Sequence, residues 1–166
     1  MNQESPIRVL VVDDEQDVRD YLSRALVDAG FAVETATDGL DAMAKVREHP
    51  PDAISLDLVM PRHSGARFYR DLQKDARLSK IPVLIVTGHA RDDLGGPDFE
   101  EMTLRGPGVY IEKPVNPSTY VSAIRTLLKL ENPPPGPGDL RRTLEEALSG
   151  ADRDALQRAL AALQKP

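Results

Sequence analysis

VLVVDDE, residues 9–15, runs four apolar residues straight into three acids. With Ile7 and Arg8 ahead of it, the run IRVLVV (7–12) is short, apolar and rich in branched side chains, which predicts a buried strand. A buried strand that ends on adjacent carboxylates needs a physical reason, because like charges side by side repel. That reason has to come from what the rest of the chain brings to the same place.

Downstream, Val18, Tyr21, Leu22, Ala25, Leu26 and Ala29 recur at helical spacing and stop at Gly30. FAVETA (31–36) predicts a second strand. Asp38 can cap a helix carrying Leu40, Met43, Ala44 and Val46, which Pro50 and Pro51 end. DAISLDL (52–58) predicts a third strand, again closing on an acid, and Phe68, Tyr69 and Leu72 mark the helix after it. IPVLIVT (81–87) is the most apolar run, with Pro82 near its start, where no ladder donor is needed. GVYIE (108–112) predicts a fifth strand. Asn116 and Pro117 then cap a helix with Val121, Ile124, Leu127 and Leu128.

Five strand–helix alternations predict an α/β fold, a parallel sheet with helices on both faces. Continuously apolar strands agree, since a parallel sheet is buried on both sides. Ligands of such sheets sit beyond the carboxyl ends of the strands. The residues to collect are therefore Asp13 and Asp14 after strand one, Asp57 at strand three, Thr87 at strand four and Lys113 after strand five.

Three carboxylates on one edge are costly. At an effective dielectric near 20, one pair about 4 Å apart repels by about 4 kcal/mol. A hard divalent cation such as Mg²⁺ removes that cost, because it takes oxygen ligands and is held by one or two carboxylates plus a phosphate. A cation, an ammonium and a hydroxyl around one carboxylate suit a phosphoryl group, since each stabilises charge on its oxygens. Asp57, alone at its strand end, is the natural nucleophile.

VLVVDDE, SLDLVMPRHSG, VLIVTG and YIEKPV together resemble the receiver domain of two-component response regulators, over roughly residues 6 to 130. The resemblance implies a flavodoxin-like, doubly wound sheet in the order 2-1-3-4-5. It implies that Asp57 accepts a phosphoryl group from a sensor histidine kinase or phosphotransfer protein. Asp13, Asp14, Asp57 and the main-chain carbonyl of Val59 would hold Mg²⁺, and Thr87 and Lys113 would bind the phosphoryl oxygens. Thr87 and Tyr110 would form the switch, Lys113–Pro114 would be a cis peptide, and Gly65 and Gly88 would match the family's small residues beside the acceptor. Val59 and His89 fall at the two positions that tune hydrolysis of the acyl phosphate. Gly95, Gly96 and Pro97 are expected to break the region of the family's fourth helix, and the spacing predicts that a short helix restarts at Asp98 with Glu101 as its capping-box partner.

The layout read from the sequence is a receiver domain at 1–131, a Pro/Gly linker at 132–138 and a short helical C-terminal extension at 139–166. Five basic and five acidic residues follow Glu131, so the net charge of −6 lies in residues 1–131. That balance argues against nucleic acid as a partner. An unknown downstream protein is expected instead, with a homodimer as a further option. There is no cysteine, hence no disulfide or thiolate metal site. No signal-peptide pattern or membrane-spanning run is read, so a cytoplasmic setting is expected. His49, His63 and His89 lack ligand spacing and are expected at the surface.

Self-catalysed phosphoryl transfer and hydrolysis, rather than turnover as an enzyme, are expected. A magnesium-dependent phosphatase of haloacid dehalogenase type would need a second Asp two residues after the nucleophile, where this chain has Val59. A nucleotide or flavin module would want a glycine-rich loop after strand one, where this chain has acid.

Overall fold

A computed structural model describes residues 5–60, 64–88 and 109–131. Five strands, β1 (Arg8–Val12), β2 (Ala32–Ala36), β3 (Ala53–Leu56), β4 (Val83–Thr87) and β5 (Val109–Glu112), form one sheet in the order β2-β1-β3-β4-β5. Every neighbouring pair is parallel. The described helices are α1 (Gln16–Asp28), α2 (Gly39–Glu48), α3 (Gly65–Lys74) and α4 (Pro117–Leu127), with a 3₁₀ turn at Leu78–Lys80. The doubly wound α/β fold is therefore present, with its expected strand order. The expected helix restart at Asp98, the linker at 132–138 and the extension at 139–166 lie outside the described residues, as do His63 and His89.

Two apolar clusters cover the two sheet faces. Leu10, Val12, Ile54, Leu56, Val83 and Ile85 face the side that also holds Phe68, Tyr69 and Leu72 of α3. Val9, Val11, Leu84 and Val86 face the side with Leu22 and Leu26 of α1 and Tyr120 and Ile124 of α4. The alternation of β1 side chains between the two clusters follows from the two-residue strand period. It also explains why β1 has no polar face.

The caps act as the sequence suggests. Asp38 accepts the N–H groups of Leu40 and Asp41 at 2.9 Å each, and Asn116 accepts those of Ser118 and Thr119. Ser64 caps α3 through Arg67 N–H. Asp75 accepts N–H from Arg77 and Leu78, which holds its carboxyl below the usual range. Gly30 ends α1 with a φ of +92°, a conformation that favours glycine.

Three expectations shift in detail. The third strand ends at Leu56 rather than 58, although Asp57 N–H still bonds Val12 carbonyl and continues the ladder for one residue. Leu40, placed on the apolar face of α2, is 66% exposed, and Ala42 and Val46 do the packing. In α4 the deepest side chains are Tyr120 and Ile124, while Val121 and Leu127 are half-buried. A helix settles at the rotation that its bulkiest residues allow, and one tyrosine decides it here.

Candidate functional site

β1 and β3 are adjacent and in register, Val12 beside Leu56, so their next residues, Asp13 and Asp57, leave the sheet side by side. Asp14 follows in the loop before α1. Oxygen atoms of Asp13, Asp14 and Asp57 all lie within 4.8 Å of one another. Asp13 and Asp57 are buried, whereas Asp14 is exposed.

Lys113 reaches the same place from the end of β5, on the sheet's far edge. Its ammonium lies 2.8 Å from Asp13 Oδ2, 3.5 Å from Asp57 Oδ2 and 3.9 Å from Glu15 Oε1. The Lys113–Pro114 peptide is cis, as the resemblance implied. Burial works to lower the Lys113 pKa. The hydrogen bond to Asp13 and the charges of Asp57, Asp13 and Glu15 outweigh it, and hold the ammonium above the ordinary lysine value.

A raised pKa fixes the sign of a pH effect. The stabilisation from Lys113 is complete below the unfolded lysine pKa of about 10.4 and fades as pH climbs through the higher folded value. Lys113→Met should lower stability by about 2 kcal/mol, since it strips charged hydrogen-bond partners from the acids. Its melting-temperature deficit should stay constant from neutral pH to about pH 10 and shrink above that. A deficit that vanishes between pH 6 and pH 8 would contradict the assignment.

Asp13 is held from several sides. Its Oδ1 accepts Glu15 N–H at 2.9 Å, and its main-chain carbonyl accepts Arg19 Nη1 at 2.8 Å. Asp57 Oδ1 accepts Val59 N–H at 3.2 Å, which brings that peptide against the acids. Val59 itself is exposed at the mouth. Thr87 closes β4 beside Glu112 of β5, and its side chain is outside the described part of the structure. Tyr110 is half-buried against the cluster on the α3 side.

Gly65 has a steric reason for being glycine. A Cβ there would lie 1.8 Å from Asp57 carbonyl oxygen and 2.8 Å from Leu58 Cα. The first turn of α3 presses on the backbone that carries Asp57. Gly88 differs, because a Cβ there meets nothing within 4 Å among the described residues.

The described structure thus brings together Asp13, Asp14, Asp57, Val59 and Lys113. Two further participants were not read from the sequence. Glu15 adds a distant carboxylate to Lys113, and Arg19 ties down the Asp13 carbonyl. The adjacency of Glu15 to Asp14 was the only signal for the first. For the second it was the position of Arg19 one turn into α1.

A hard divalent cation suits this donor set, which is made of carboxylate oxygens and backed by an ammonium. The family model for the response regulator receiver domain matches residues 9–125. The chain belongs to this family. Response regulator MprA of Mycobacterium sp. strain KMS is 35% identical over 134 residues, which is 80% of this chain and 55% of that protein. The DNA-binding dual master transcriptional regulator RpaA of a Synechocystis strain is 33% identical over 124 residues, 74% of this chain and 49% of its own. The chain spans about half the length of these curated relatives. Among solved structures, the chemotaxis protein CheY4 of Vibrio cholerae superposes with a TM-score of 0.64 at 30% identity, over 74% of this chain and 99% of that one. Receiver domains are signalling modules of two-component systems, and this one has an acidic cluster able to hold a metal. Among the described residues no helix is long and apolar enough to cross a membrane.

Proposed function

We propose that this receiver domain takes a phosphoryl group on Asp57 from a histidine of a sensor kinase or phosphotransfer protein and signals by contact with a downstream protein. The observation that carries the reading is the ammonium of Lys113 set between Asp13 and Asp57, beside the three-carboxylate cluster. An Asp57 carboxylate oxygen bonds to phosphorus, the P–N bond to the donor imidazole breaks, and its electron pair leaves with the nitrogen. Asp13, Asp14, Asp57 and the Val59 carbonyl would hold Mg²⁺, which supplies positive charge to the phosphoryl oxygens when bound. Lys113 adds its ammonium and Thr87 its hydroxyl. Phosphorylation adds negative charge at Asp57, and Thr87 and Tyr110 respond by shifting the population of the β5–α4 face.

The layout remains a receiver domain at 1–131, a linker at 132–138 and a helical extension at 139–166. That extension carries five basic and five acidic residues, a balance that argues against DNA binding. Self-association or docking suits it better. A cytoplasmic setting and the absence of enzyme turnover belong to the same reading. A haloacid-dehalogenase type of hydrolase is disfavoured, because Val59 cannot act as acid or base.

Acetyl phosphate with Mg²⁺ should add one alkali-labile phosphoryl group, seen by mass spectrometry of the intact chain. Absence of labelling at millimolar donor would refute the function. Val59, apolar at the mouth of the site, cannot orient an attacking water. The label should therefore persist for minutes or longer after donor removal. Decay within seconds would show that another group activates the water.

A further inference from the structure

Tyr120, on the inward face of α4, is fully buried and, among the described residues, is the bulkiest of the side chains sealed from solvent. It belongs to the cluster that holds Val9, Val11, Leu84 and Val86. Its hydroxyl is shut off from solvent and, among the described residues, has no hydrogen-bond partner. Ser55 is in register with Val11, which stands two residues before Asp13, so Ser55 and Asp13 share the sheet face that Tyr120 packs on, and both act on its hydroxyl. Ser55 is also buried, two residues before Asp57 and so on the same face of its strand.

Packing alone does not account for this residue. Phenylalanine would fill the same space, and it would not strand a hydroxyl that loses its bonds to water on folding. Burial pushes the Tyr120 hydroxyl pKa upward and the charge of Asp13 adds to that, so the group stays protonated and remains a donor.

We propose that Tyr120 is a positioning residue: its buried hydroxyl, together with that of Ser55, orients the Asp13 carboxylate for a divalent cation. The inference rests on the reading of the acidic cluster as a cation site. Both Asp13 oxygens are already claimed, Oδ1 by Glu15 N–H and Oδ2 by Lys113. Coordination of a cation must draw on one of them. A donor behind the carboxylate keeps one hydrogen bond in place while it turns. Carboxylates that bind metals are in turn hydrogen-bonded, and loss of such a partner commonly costs 10–100-fold in affinity.

The test is calorimetric titration of the full chain with Mg²⁺, beside thermal melts without it. Tyr120→Phe should weaken Mg²⁺ binding about tenfold. Its melting temperature without Mg²⁺ should hold or rise, because a stranded hydroxyl has gone. Ser55→Ala should weaken binding in the same direction, and the double variant by less than the sum, since the two act as a unit. Mg²⁺ affinity within about twofold of wild type in both single variants would overturn the inference while the cation site stands. A wild-type chain that binds no Mg²⁺ at millimolar concentration would remove the cation site itself, and the inference with it.

Discussion

Asp57→Ala is expected to take up no phosphoryl group from acetyl phosphate and Mg²⁺, a loss of at least about a hundredfold in labelling rate. Three carboxylates crowd the pocket, and geometry separates their roles. Asp13 is held by Lys113 at 2.8 Å and by Glu15 N–H at 2.9 Å, so both of its oxygens already accept hydrogen bonds. Asp14 is exposed on the loop before α1. Asp57 leaves the middle strand of the sheet, buried, with Lys113 3.5 Å from one oxygen. A charge that develops on a phosphoryl group at Asp57 meets the ammonium directly. Unfolding should not explain the loss. Removing one of three clustered acids relieves a repulsion of about 4 kcal/mol per close pair at an effective dielectric of 20, which offsets the lost attraction to Lys113. The Asp57→Ala melting temperature without Mg²⁺ should therefore equal or exceed that of wild type. Full labelling of this variant would move the acceptor to another side chain.

Gly65→Ala is the second large effect, and it acts through backbone rather than chemistry. The added methyl would sit 1.8 Å from the Asp57 carbonyl oxygen, and neither neighbour is a flexible side-chain end that could swing away. Either α3 lifts from the sheet or the peptide after Asp57 moves. Overpacking of this kind costs about 3 kcal/mol or more, since it displaces main chain. For a domain of this size that is a fall of about 10 °C in melting temperature. Labelling of Asp57 should slow as well, because the displaced peptide carries the acceptor. Gly88→Ala is the internal control for stability: its Cβ enters open space, so the change should stay within about 0.5 kcal/mol. Equal melting temperatures for Gly65→Ala and wild type would show that the contact relaxes freely.

Most of the acidic pocket was legible in the sequence because strand ends are legible. A run such as VLVV announces a buried strand, parallel sheets expose their carboxyl ends, and Asp13, Asp14, Asp57 and Lys113 fall on that edge by counting. The fold and strand order followed from the alternation of elements and from the family resemblance. Side-chain partnerships were not legible. Nothing in the spacing pairs Glu15 with Lys113, yet it lies 3.9 Å from that ammonium. Arg19 was one basic residue of a mixed helix, yet it grips the Asp13 carbonyl. Leu40 fitted an apolar pattern and faces solvent, because α2 buries its small Ala42 and Val46 instead.

By itself the sequence determined the parallel sheet, the caps at Asp38 and Asn116 and the acids on one edge. These depend on local periodicity and on the direction of the chain. The tertiary structure alone decided how α4 is rotated, and so buried Tyr120 rather than Val121 against the sheet. It also decided that Lys113 spans to Asp13, 100 positions away in sequence, and that Gly65 must lack a side chain. The physical reason is range. Hydrophobic period and turn chemistry act over a few residues, whereas helix rotation, close backbone approach and ion pairing are fixed only when distant segments pack to full density.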